Sequence, residues 1–94
     1  MSNKNILKIR KKLDRLDDSL IAILKKRVRL VDQVLKNKKF KKDIVDKKRI
    51  KVILSNISKK SKRKKIDPII TKKIWSSMIK AFIDYEYRNF NKKR

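Results

Sequence analysis

The apolar positions in the first third of the chain fall on one helical seam. Ile6, Ile9, Leu13, Leu16, Leu20, Ile23, Leu30 and Val34 recur in alternating steps of three and four, a heptad-like pattern that predicts one helix from about Asn5 to Lys38. At 1.5 Å per residue that helix is roughly 50 Å long. A short domain cannot cover it, so part of the seam is expected to meet another copy of the molecule. Asn3 or Asn5 is placed to cap its start. One register position, between Ile23 and Leu30, is Arg27. Burying an unpaired cation is costly, so this position calls for a buried carboxylate, a water-filled gap or an anionic ligand.

From Lys39 to Val45 the apolar period fails, which predicts a short basic connection. Asp46 then reads as the N-cap of a second helix carrying Ile50, Ile53, Leu54 and Ile57, with Asp43 as the competing cap. Ser58 to Lys65 is polar and without period, and is expected to be a mobile loop or linker. Asp67-Pro68 is the clearest helix start: an Asp cap, then proline at the first helical position. The third helix carries Ile70, Ile74, Trp75, Met78, Ile79 and Phe82, and its next seam position is Glu86. This second charge in an apolar register either neutralises Arg27 in a buried ion pair or serves a ligand. The pattern predicts an all-α fold of three helices in a single domain, residues 1–94.

Composition narrows the chemistry. A chain of 94 residues buries only about 60 to 65 per cent of its unfolded surface and often completes its core by oligomerising. Having neither cysteine nor histidine, it lacks disulfide staples, a thiolate zinc site, imidazole acid–base chemistry and the common nucleophile systems. Any chemistry must use Lys, Arg, Asp, Glu or hydroxyls. No apolar run approaches the roughly 20 residues that span a bilayer, and the N-terminus lacks a signal-peptide core. A soluble cytoplasmic protein without a membrane partner is therefore the expectation.

Lys and Arg number 32 against 9 acidic residues, a formal charge of +23, which attracts anions of every kind. A general lysine bias on exposed faces is the bland reading of much of it, and only cations in core register escape that explanation. A basic nucleic-acid-binding module is the rival reading, supported by the charge and the 58–65 run. It has no zinc signature, no helix-turn-helix turn and few aromatics for stacking, and it leaves Arg27 and Glu86 unexplained.

Lys38 lies 11 residues beyond Arg27, about three helical turns, so in one continuous helix both project from the same face roughly 16 Å apart. Two long cationic side chains at that spacing can lean toward one small ligand. Arg10 lies on a different face about 25 Å away and can reach the same pocket only from another copy, in an antiparallel pairing of long helices. Asp46 and Arg49 can close the pocket across the connection.

These residues carry a resemblance. The run Ile-Arg-Lys-Lys-Leu-Asp-Arg-Leu-Asp from Ile9 to Asp17 and the Leu-Lys-Lys-Arg of Leu24 to Arg27 resemble the first helix of the all-helical chorismate mutases. Lys38, the Asp-Lys-Lys-Arg of Asp46 to Arg49, the Ile-Asp-Pro start of the third helix and a polar residue at 86 follow in that family's order and approximate spacing. The resemblance implies an intertwined helical homodimer that converts chorismate to prephenate, a step of aromatic amino acid biosynthesis, with no cofactor and no metal. It implies that Arg27, and Arg10 from the partner subunit, clamp the substrate carboxylates through bidentate, charge-assisted bonds. Lys38 and Glu86 would meet the ether oxygen, and Asp46 and Arg49 would line the ring and hydroxyl side. A unimolecular pericyclic step needs a compact conformer and donors where charge grows on the breaking C–O bond. It needs neither base nor nucleophile.

Three positions depart from the usual mutase set. Ile50 stands where a glutamate commonly holds the substrate hydroxyl, Phe82 where some members have a small hydroxyl residue, and Glu86 where glutamine is frequent. The first two resemble the isochorismate pyruvate lyase branch of the same fold, with silent core residues as the alternative reading; a relic retaining the fold as an interaction domain is a further alternative. To donate to the ether oxygen, Glu86 must carry a proton.

Overall fold

The computed structural model describes residues 3–92. Its elements are α1 (Lys4–Lys36), a single 3-10 turn (Lys41–Asp43), α2 (Lys47–Arg63) and α3 (Pro68–Asn89). The expected all-α fold of three helices is therefore observed, and no strand occurs among the described residues. The structured chain divides at Leu30/Val31 into two compact units.

The first unit is the stretch of α1 up to Leu30. Its start is fixed by Asn3, whose Oδ1 accepts from the Ile6 N–H at 2.8 Å, satisfying one of the donors that a helix N-terminus leaves open. The apolar seam is present as the spacing requires, but it is uncovered: Leu13, Leu16 and Leu20 are 52%, 60% and 56% exposed.

The second unit begins with the last turns of α1. Here the buried position is Leu35, fully enclosed, whereas Val34 on the seam is 52% exposed. One residue is about 100° around the helix, so the seam and the core of this unit lie on different faces of α1. Leu35 packs with Ile44 and Phe90, and Ile83 packs against them. The helix also stops earlier than the expected Lys38. After Lys36 the N–H groups of Asn37 and Lys38 bond the carbonyls of Val34 and Leu35 at 3.0 and 3.1 Å, tightening the last turn in the 3-10 manner. Asn37 Nδ2 donates to the Gln33 carbonyl at 2.8 Å.

Both candidate caps before α2 are used, for different purposes. Asp43 accepts from the Phe40 N–H at 3.2 Å and closes the 3-10 turn, while Asp46 Oδ1 accepts from the Arg49 N–H at 3.0 Å and caps α2. The expected loop over 58–65 is a correction: α2 continues through Arg63. Ser61 carries the contact that an apolar residue would ordinarily make. It is buried, donates to the Ile57 carbonyl at 2.6 Å, and its hydroxyl meets that of Thr71 on α3 at 2.7 Å. Lys and Arg on the outer face are good helix formers, so the polar run stays helical.

The end of α2 is a Schellman turn. The Lys65 N–H bonds the Lys62 carbonyl at 3.2 Å and the Ile66 N–H bonds the Ser61 carbonyl at 2.9 Å, with Lys65 left-handed at φ 58°. Asp67 then accepts from the Ile69 N–H at 2.9 Å, with Pro68 opening α3 as expected. Lys65→Gly, which removes the left-handed penalty of a side chain, is expected to stabilise the protein by about 1 kcal/mol. Asp67→Ala is expected to destabilise it by about 1 kcal/mol, both read from urea denaturation.

Candidate active site

An ion pair between the end of α1 and the last third of α3 is the polar centre of the second unit. Lys38 Nζ lies 3.0 Å from Glu86 Oε1, with the two side chains 19% and 9% exposed. It also donates to the Ile44 carbonyl at 3.2 Å. Ile44 is buried in the core, which fixes that acceptor. Because α1 ends at Lys36, the direction of Lys38 is set by these two contacts rather than by helical register. An ammonium has three donors. Two meet protein acceptors, leaving one for a ligand.

Glu86, a charge in apolar register, thus has Lys38 as an ion-pair partner. Phe82 stands one turn earlier on α3 and is half-buried. α2 begins three residues after the carbonyl that holds Lys38. Asp46 caps it through its carboxylate, and its first turn carries exposed Arg49 and half-buried Ile50. Six of the eight expected site positions therefore belong to the second unit. The other two, Arg10 and Arg27, belong to the first, with Arg10 exposed and Arg27 half-buried.

Sequence reasoning missed a second polar link. The Tyr85 hydroxyl donates to Asp32 Oδ1 at 2.7 Å, joining α3 to α1 inside the second unit. Neither residue lies on an apolar register position, and a Tyr–Asp pair 53 residues apart leaves no local signal. The bond to the Asp32 carboxylate raises the Tyr85 phenol above its ordinary value, with desolvation adding to it.

A family model of the type II chorismate mutases matches residues 9–87. The chain belongs to this family. No curated protein and no solved structure gives a significant match. Membership makes it a chorismate mutase-type isomerase domain that takes a small-molecule substrate, and the match spans both the basic first helix and Glu86. No helix among the described residues is long and apolar enough to cross a membrane.

The sign of the Tyr85 effect sets a pH test. A phenol whose value is raised by folding contributes stability below its unfolded value of about 10 and loses it as pH rises through the folded value. The melting-temperature advantage of the wild type over Tyr85→Phe is therefore expected to hold at pH 7 to 9 and to shrink above pH 10.

Proposed function

We propose that the chain rearranges chorismate to prephenate without a cofactor, in a pocket completed by a second copy of itself. The observation that carries this reading is the Lys38–Glu86 pair, 3.0 Å apart, in a chain that belongs to the type II chorismate mutases. Lys38 retains a donor for the ether oxygen, on which negative charge grows as the C–O bond breaks. Arg27 and the partner subunit's Arg10 clamp the two carboxylates and hold the extended substrate in its reactive conformer. Asp46 and Arg49 face the ring and hydroxyl, and Ile50 and Phe82 give that side an apolar wall. The uncovered seam of α1 supports the homodimer, since an antiparallel partner would bury it. The protein acts in the cytoplasm, in aromatic amino acid biosynthesis.

Glu86 takes a second role. Its Oε1 accepts from Lys38 and so aims the ammonium at the ether oxygen. Glu86→Ala should lower kcat by about tenfold or more, and unchanged turnover in that variant would overturn this role of Glu86.

The aliphatic Ile50 directly after Arg49 favours one second reading, cleavage of isochorismate to salicylate and pyruvate. Incubation of the purified protein with chorismate and with isochorismate separately, following prephenate against salicylate plus pyruvate, decides between them. Prephenate is the expected product. Arg27→Ala and Lys38→Ala should each lower kcat/KM by about 100-fold or more, with helicity and dimer intact. Loss of folding instead would assign the two cations a structural role.

A further inference from the structure

Side-chain links tie the last turn of α1 and the connection after it to α3. Lys38 meets Glu86 at 3.0 Å, and Asp32 accepts from the Tyr85 hydroxyl at 2.7 Å. Tyr85 and Glu86 are consecutive on α3, so their side chains leave the helix about 100° apart. These two contacts thus meet the last third of the helix at different angles. The apolar contact among Leu35, Ile83 and Phe90 is non-directional, opposing separation more than rotation.

Toward its start α3 is already bound to α2, where the Ser61 and Thr71 hydroxyls meet at 2.7 Å, so the Tyr85–Asp32 bond acts on the last third of the helix and fixes how that end is turned toward Lys38. Side-chain ends lie roughly 5 to 6 Å from a helix axis, so a roll of about 10° moves the Glu86 carboxyl by about 1 Å. A displacement of that size at a reacting centre costs about 100-fold in rate. The roll would carry Lys38 with it, because the ammonium takes its direction from Glu86 and the Ile44 carbonyl.

We propose that Tyr85 and Asp32 are positioning residues that hold α3 in the rotation at which Glu86 and Lys38 face the reacting ether oxygen, an inference that rests on the mutase reading of that pair. Neither touches substrate. A hydroxyl donating to a carboxylate is a short, charge-assisted bond with a strong angular preference. It suits this task better than further apolar packing would.

The test uses the full chain, with kcat and KM for chorismate measured well below each variant's melting temperature. Tyr85→Phe and Asp32→Ala should lower kcat at least tenfold with KM changed less than about twofold. The double variant should be no slower than Asp32→Ala, since either change breaks the same bond. Asp32→Asn, whose amide oxygen still accepts, should recover most of kcat. Unchanged kcat in variants that merely melt earlier would overturn the proposal, leaving the bond a purely structural one. Lys38→Ala separates the two readings: full turnover in that variant refutes the site, whereas its inactivity beside a fully active Tyr85→Phe refutes positioning alone. The Lys38 side-chain nitrogen resonance gives an activity-independent readout. It should move toward the value of a solvated lysine in Tyr85→Phe, and an unmoved resonance would count against the proposal.

Discussion

A carboxylate enclosed on an otherwise apolar helix must have a cation beside it, and the second unit of this chain is arranged around that requirement. Glu86 is 6% exposed, and Lys38 is the residue that answers it. For Lys38 to do so, α1 has to stop at Lys36 and the chain has to turn through the 3-10 segment. That turn also brings the carbonyl of buried Ile44 to the ammonium. One ion pair thus ties together the end of α1, the connection and α3. As a source of stability such a pair is weak, because desolvating two charges cancels much of their attraction and apolar residues of similar volume would hold the helices at least as well. Its value lies in the charged groups it presents.

The same helix has two separate apolar duties. Leu35 serves the core of the second unit, while the seam through Leu13, Leu16, Leu20 and Val34 lies on another face and stays exposed. A helix serving only its own domain would concentrate its apolar residues on one face. The division lets one short chain provide a folded unit and still leave a long apolar stripe exposed, as the composite pocket of the proposed function would require.

What could be read from sequence followed the range of the interactions. The caps at Asn3, Asp46 and Asp67 were legible because a capping bond reaches only two or three residues along the chain. Glu86 and Arg27 were legible as charges in apolar register. The pairing of Glu86 with Lys38 was not, since Lys38 lies beyond the end of α1 and a regular heptad pattern hid that end. The helical course of 58–63 was hidden because its packing runs through the Ser61 and Thr71 hydroxyls, which a search for apolar period passes over. Leu35 was overlooked for the opposite reason: a strong seam one position away drew the register to itself. Asp32 and Tyr85 gave no signal, as each is unremarkable until the fold sets them 2.7 Å apart.

The absence of histidine and cysteine and the charge of +23 bear differently on a unimolecular rearrangement than on most enzyme chemistry. Such a step calls for donors and a shaped, water-poor pocket, and each tenfold gain needs only about 1.4 kcal/mol of extra stabilisation in the transition state. Lys and Arg supply donors without any proton transfer. The overall positive field helps a dianionic substrate arrive, but it acts over a Debye length of about 8 Å at physiological salt and is screened beyond that. Dispersed surface lysines can therefore raise the encounter rate and cannot orient what arrives. Orientation has to come from cations whose own positions are fixed, and Lys38, held by a buried carbonyl and a buried carboxylate, is a cation of that kind.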